Sequence, residues 1–254
     1  MKINDLSIGY GAHVVQQGLS LQIKSGEMVC VLGKNGCGKS TLLRTLAGLQ
    51  PALSGACIMP DGRSVSDLTE REKAQNMAIV LTERLSADNT IVADVVAMGR
   101  YPYSGWLGAL TEQDHKIIDE ALRATEMTHK KLAFFNELSD GEKQRVLISK
   151  ALAQETPYIF LDEPTAHLDL PNRIKTLLLL RELAHKSRKA VVISTHELDL
   201  ALQTADTIWL MTPGQGIAIG TPENLVGNGD FQHAFADEHF RFVQSEGALR
   251  IQIN

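Results

Sequence analysis

The segment Gly33-Lys34-Asn35-Gly36-Cys37-Gly38-Lys39-Ser40 places glycines, a lysine and a hydroxyl at the G-x-x-x-x-G-K-S spacing of a phosphate-binding loop. Its glycines allow a turn whose backbone N–H groups point inward. A helix starting at the loop's end adds its positive dipole terminus, so the loop becomes a nest for anionic oxygen. Lys39 then reaches the outer phosphates of a nucleoside triphosphate, and Ser40 ligates Mg2+, with Thr41 following on the helix. The flanks have the form this chemistry needs. The apolar run from Met28 to Leu32 has the length and branching of a buried strand, and Thr41 to Ala47 read as a helix that stops at Gly48. Cys37 adds a thiol inside the loop, either open to alkylation or oxidation or simply occupying a tolerant position.

Two further constellations lie downstream. Leu138-Ser139-Asp140-Gly141-Glu142 precedes a segment in which Val146, Leu147, Ala151 and Leu152 recur at helical spacing, which makes Ser139 an N-cap. Tyr158 to Leu161 read as a fully buried parallel strand ending in Asp162 and Glu163, at the edge where open α/β sheets bind ligands. Two acids ending a buried strand need a cation to meet. Taken alone, Ser139 is a helix cap, Gly141 a flexible turn, and Asp162-Glu163-Pro164 a solvated turn; their order behind the loop favours the chemical readings.

Completed by Lys143-Gln144-Arg145, this ordered set resembles the ATP-binding-cassette (ABC) ATPases, whose signature is Leu-Ser-Gly-Gly-Gln. The resemblance covers nearly the whole chain. It implies ATP and Mg2+ as cofactors, Asp162 orienting the Mg2+ shell, and Glu163 polarising the attacking water. It also makes Ala166-His167-Leu168-Asp169 the D-loop, His196 the switch histidine on the γ-phosphate, and Tyr10 the aromatic that stacks on adenine. The bland readings are an incidental His196 and an edge-strand Tyr10. By the same resemblance Ser139, Gly141 and Glu142 cover the nucleotide of a second copy in a head-to-tail dimer with ATP at the interface. The chain departs from the pattern in two places. Where the family has a glutamine after its third core strand, Thr82 stands at the aligned position with Glu83 beside it, and either could take the Mg2+ role. Asp140 and Glu142 replace Gly and Gln in the signature, where the helix dipole with Lys143 and Arg145 partly offsets their charge.

The implied fold is an α/β P-loop NTPase (RecA-like) core with an ABC-type antiparallel β part and an inserted helical subdomain. It is a single domain over 1–254: core about 1–83 and 156–221, insert about 84–155, and a short motif-free C-terminal extension about 222–254. In the insert, Thr111-Glu112-Gln113-Asp114 resembles a capping box ahead of the stripe Ile117, Ile118, Ala121 and Leu122. Asp169 and Pro171 open a long helix through Ala184.

Composition suits a globular engine: 44% hydrophobic and 22% charged residues over 254 positions. A net charge of -5 gives no general electrostatic reason to bind nucleic acid. No apolar stretch approaches the ~18 residues of a membrane span, and the first residues lack the apolar core of a signal peptide, so the expected location is the cytoplasmic face of the inner membrane, peripherally held. Three cysteines without metal-type pairing point to reduced thiols.

Gly99-Arg100-Tyr101-Pro102-Tyr103 looks like the Gly-Arg-x-Pro segment of ATPases serving importers of iron-siderophore complexes, haem and cobalamin. The expected function is therefore the ATP-hydrolysing subunit of a metal-chelate importer, partnered by integral membrane permease subunits and, indirectly, by a substrate-binding protein. Exposed aromatics here, with Trp106, would anchor a permease. The alternative is a soluble ABC ATPase of iron-sulfur cluster assembly; a P-loop small-molecule kinase fails on the signature.

Overall fold

The computed structural model describes residues 1–82, 87, 89–105, 108–166, 168–214, 216–235 and, as backbone, 240–245 and 248–253. Strand β1 (Lys2–Tyr10) pairs antiparallel with β2 (His13–Gln22), turning its apolar residues Ile3, Leu6 and Ile8 inward. The wholly buried β3 (Met28–Gly33) leads into α1 (Lys39–Leu46), and β4 (Ser54–Ile58) returns to the other edge of β1. Tyr10 thus ends the central strand of the β2-β1-β4 sheet, not an edge strand. Next come α2 (Glu70–Asn76) and β5 (Met77–Val80). The inserted helices follow: α3 (Val92–Ala97), α4 (Glu112–Ala124) and α5 (Asp140–Ala153). The core resumes with β6 (Tyr158–Asp162), α6 (Leu170–Ser187), β7 (Ala190–Ser194), α7 (Leu198–Thr204), β8 (Thr207–Thr212) and β9 (Gly216–Gly220). The chain ends in α8 (Pro222–Gly227), α9 (Asp230–Phe235) and a hairpin of β10 (Phe240–Ser245) with β11 (Ala248–Ile253).

Among the described residues the main sheet has the order β5-β6-β7-β3-β8-β9, parallel throughout except for β9. Both faces are covered, which is why its strands read as unbroken apolar runs. Along β7, Val192 points to the face shared with Leu42 and Leu46 of α1, while Val191 and Ile193 point to Leu177 and Leu180 of α6. The region after 221, read from sequence as a motif-free extension, contributes to this second face: Leu225 and Phe231 are buried there. Two large apolar side chains six residues apart carry too little periodicity to announce that packing.

The inserted helices enclose a core of their own, with Val95, Ile118, Leu122 and Val146 at its centre. Arg100, from the Gly-Arg-x-Pro-like segment, ties the turn after α3 to the start of α4 and the end of α5. Its Nε donates to Asp114 at 2.7 Å, and its Nη1 donates to the Ala153 carbonyl at 2.7 Å and to Glu155 at 2.8 Å. Its guanidinium lies 4.2 Å from the centre of the Tyr103 ring. A Cβ on Gly99 would stand 2.4 Å from the Lys150 carbonyl, so close packing of the turn on α5 requires glycine there. The Gly-Arg pair therefore serves intrachain packing, and it leaves Tyr101, 61% exposed, and Tyr103, 36% exposed, at the surface.

Asp114 caps α4 through the Thr111 hydroxyl and amide, which with Arg100 hold its carboxyl at about 2, below the usual 3.8. Its ionised form thus stabilises the fold above pH about 3.8, and that contribution is lost as pH falls through about 2. Breaking a buried pair strands a charge, so Asp114→Asn is expected to cost about 3 kcal/mol in urea unfolding at pH 7. The wild type and the variant should converge in stability near pH 2.

Candidate active site

Parallel strands of one sheet release their loops at one edge, and here four of those loops carry polar groups to the same place. β3 runs into the phosphate-binding loop, β5 into Thr82, β6 into Asp162 and Glu163, and β7 into His196. Register fixes the alignment: Asp162 lies opposite Ser194, and Ser194 opposite Val31.

The loop turns through Gly36 and Gly38, whose φ angles of 80° and 104° are left-handed. Gly38 is the N-cap of α1 and supplies no side-chain acceptor, which leaves the helix's leading amides facing the concave side of the loop. That is where anionic oxygen fits. Lys39 is buried in the same loop, its Nζ donating to the Gly33 carbonyl at 2.9 Å and reaching the Lys34 carbonyl at 3.5 Å. Gly33, Lys34, Asn35 and Gly36 complete the curve. Cys37 is 2% exposed and burial raises its thiol pKa, so of the two readings it takes the plainer one, a packed side chain. Tyr10, 55% exposed, stands at the mouth of the loop with its hydroxyl 3.2 Å from Thr41 Oγ1. Its open ring face could take an aromatic base.

Asp162 is buried, and its Oδ1 accepts from Ser40 Oγ at 3.0 Å and from Ser194 Oγ at 2.6 Å. Thr82 donates its hydroxyl to the Asp162 backbone carbonyl at 3.0 Å, which leaves its lone pairs open. These hydroxyl and carboxylate oxygens form the hard donor set that Mg2+ prefers. Ser40 and Asp162 would hold it, with Thr82 in reach of the same corner. Glu163 adopts a φ of 49°, which is unusual for a residue with a side chain, and its amide is held by Ser194 Oγ at 2.8 Å. The turn carries its carboxylate to 3.6 Å from His196 Nδ1.

The signature residues are arranged differently. Ser139 and Glu142 form a capping box on α5: Glu142 accepts from the Ser139 amide at 2.9 Å and from its hydroxyl at 3.0 Å. The Ser139 amide chiefly, then the Ser139 hydroxyl and Lys130, hold the Glu142 carboxyl below its usual range. The cation that meets it is Lys130 at 3.2 Å, not the Lys143 or Arg145 expected from sequence proximity, because those side chains leave the helix in other directions. Gly141 is helical, and a Cβ there would find its nearest neighbour, Asn172, at 3.6 Å. Among the described residues no neighbour demands glycine at this first-turn position.

Two residues of this site escape a sequence reading. Ser194 looks like the polar end of an apolar strand. Gln16, buried in β2, donates to the Thr212 carbonyl at 3.0 Å and reaches the Cys37 carbonyl at 3.5 Å, bracing the loop; its only signal is a polar residue at a strand position. Glu83, Trp106 and His167 lie outside the described residues.

Residues 16–166 match the family described as ABC transporter. An ABC transporter ATP-binding protein of Methanocaldococcus jannaschii is 44% identical over 226 residues, 89% of this chain and 78% of that protein. The ferric enterobactin transport ATP-binding protein FepC of Escherichia coli is 33% identical over 221 residues, 87% and 81% of the two chains. A solved ABC transporter described as metal-chelate type, in an inward-facing conformation, superposes with a TM-score of 0.80 at 27% identity, covering 100% of this chain and 96% of that one. A dimeric ATP-binding cassette in a post-hydrolysis state with ADP and Pi gives 0.74 at 25% identity, covering 87% and 98%.

Because Ser194 alone joins the Asp162 carboxylate to the Glu163 amide, Ser194→Ala is expected to lower ATP turnover about ten- to hundredfold, the size of one or two lost bonds to charged or strained groups. Ser194→Thr should keep most of it. Parental turnover in Ser194→Ala would show that Ser40 suffices to hold Asp162.

Proposed function

This chain belongs to the ABC transporter family and is an ATPase of that family, and we propose that it powers an importer of metal chelates, with ferric siderophores ahead of haem or cobalamin. The relatives support the class of cargo: one transports ferric enterobactin, and one structural neighbour is described as metal-chelate type. In this reading the nest of residues 33–41 holds the triphosphate, and Tyr10 stacks on the adenine. Ser40 and Asp162, with Thr82 as a further oxygen, would hold Mg2+, which would offset phosphate charge. Glu163 orients and polarises water, and His196 donates to the γ-phosphate.

The observation that carries the dimer is Gly141. A helical glycine with room for a Cβ inside its own chain has its reason outside it, and close approach of a second copy's nucleotide supplies one. Ser139 and Gly141 of one subunit then lie over the ATP held by Lys39, Glu163 and His196 of the other. The capping box keeps Glu142 turned toward Ser139 and Lys130, so its charge is spent before the phosphates meet it. ATP binding favours the closed pair and hydrolysis releases it, a population shift set by differential affinity.

No helix among the described residues is long and apolar enough to cross a membrane. In this reading, separate permease subunits span the membrane and this subunit sits at their cytoplasmic face. A groove of about 460 Å³ between α1, α2, β5 and α5, lined by Leu49, Ile79, Leu147 and Lys150, is the surface for that contact. The turn bearing Tyr101 is pinned by Arg71 and Gln75, both donating to the Pro102 carbonyl, and Tyr103 on that turn donates to the carbonyl of Gln154, which lines the groove.

Glu163→Gln is expected to keep ATP affinity, lose most turnover and accumulate a closed dimer in light scattering, whereas Lys39→Ala weakens binding itself. Near-parental hydrolysis by Glu163→Gln sinks the assignment. A mixture of Ser139→Arg with Lys39→Ala should associate with ATP better than either variant alone, since one composite site carries both defects and the other neither. Thr82→Val should raise the Mg2+ concentration for half-maximal hydrolysis severalfold, about 1 kcal/mol, while Glu83→Gln should not. The reverse outcome moves the metal role to Glu83.

A further inference from the structure

The loops bearing Glu163 and His196 are joined by a charged pair that the catalytic assignments above do not use. Glu197 follows His196 directly and is the N-cap of α7, yet its carboxylate makes no cap bond to that helix. It reaches instead across to the loop after β6, where Oε1 accepts from Thr165 Oγ1 at 3.2 Å and pairs with Arg173 Nη1 at 3.2 Å. Arg173, in the first turn of α6, uses its other arm on the same loop: its Nε donates to the Leu168 carbonyl at 2.6 Å. Glu197 is largely buried, with 11% of its side chain exposed, and Thr165 is fully so.

We propose that Arg173 and Glu197 are positioning residues: a clamp that sets His196 against Glu163 and ties both to the segment running through Leu168 and Asp169. The inference rests on the reading of Glu163 and His196 as the hydrolytic pair. Their own contact is 3.6 Å, too long for a hydrogen bond to hold them in place. Ser194 holds the Glu163 amide and the Thr195 hydroxyl accepts from the Glu197 amide at 3.1 Å, each within its own strand end; among the described residues the side-chain bonds that join the His196 loop to the loop after β6 are those from Glu197 to Thr165 and Arg173. One end of the clamp is Glu197, a single residue from His196. The other is the Leu168 carbonyl, beside the α5 N-terminus, where Leu168 and Asn172 are the nearest neighbours of Gly141. In the proposed dimer that region faces the second subunit. A shift of the Leu168 backbone on closure therefore moves Arg173, Glu197 and His196 together, so the water-polarising geometry forms only when the partner is seated.

Steady-state ATP hydrolysis, nucleotide affinity by a fluorescent ATP analogue and thermal unfolding on the full chain test this, with parent, Arg173→Met, Glu197→Gln, their double variant and His196→Ala side by side. Arg173→Met is expected to lower kcat about tenfold, or about 1.4 kcal/mol of barrier, with KM and nucleotide affinity within about twofold of the parent. Glu197→Gln should do the same, and the double variant should be no slower than the worse single one, because both remove one coupled device. Arg173→Lys, which keeps the charge but loses the fork, should recover only part of the rate. Parental kcat in Arg173→Met alongside a disabled His196→Ala overturns the clamp alone. Parental kcat in His196→Ala overturns the assignment of His196 and the clamp with it. A fall in kcat that tracks equal losses of nucleotide affinity and melting temperature, or losses that add in the double variant, makes the pair a structural tie and overturns its positioning role.

Discussion

The Asp162 carboxylate is the point on which the site's geometry depends. Buried at the end of β6, it must be satisfied, and it recruits Ser40 from α1 and Ser194 from β7 while its own carbonyl takes the Thr82 hydroxyl from the end of β5. Three separate chain segments are thereby set at hydrogen-bond precision around one acid. Phosphate chemistry needs that precision, because a protein contributes to phosphoryl transfer mainly by position and charge. The parallel sheet makes the arrangement affordable: it brings all four loops to one edge before any side chain acts.

The same constraint explains where strain is stored. Glu163 follows Asp162 immediately, and only a left-handed turn brings its carboxylate round toward His196. Ser194 bonds the displaced amide, so one hydroxyl both anchors the acid and holds the strained turn. The signature helix resolves an opposite problem. In the proposed dimer it would carry an acid toward the second copy's phosphates, and the capping box with Lys130 turns that acid back onto its own helix. A residue unfavourable by charge is thus usable through local geometry.

The inserted helices have a core of their own, and α5 is shared between it and the sheet: Val146 and Ala153 pack in the helical core, Ile148 and Ala151 against the strands. That division suits a machine in which the subdomain presents a signature to a second copy and a groove to a membrane partner. A salt-bridged, aromatic-capped turn after α3 lets Tyr101 protrude at low cost in order, because its neighbours are already fixed.

What the sequence by itself determined was written in consecutive residues: the phosphate-binding loop, the strand ending in Asp162 and Glu163, the capping box at Thr111, the N-cap at Ser139, and the Asp169 start of α6. Each depends on backbone geometry within a few positions, so residue type and spacing suffice. What only the tertiary structure decided were partners far apart in the chain. Ser194 meets Asp162 across 32 positions, Gln16 braces Thr212 across 196, Lys130 takes the role that nearness assigned to Lys143, and Leu225 and Phe231 close the sheet from a region without motifs. Such contacts leave no period in the sequence. They exist because the sheet order brings distant strand ends together, and a polar residue at a strand end looks the same in sequence whether it faces water or a buried acid.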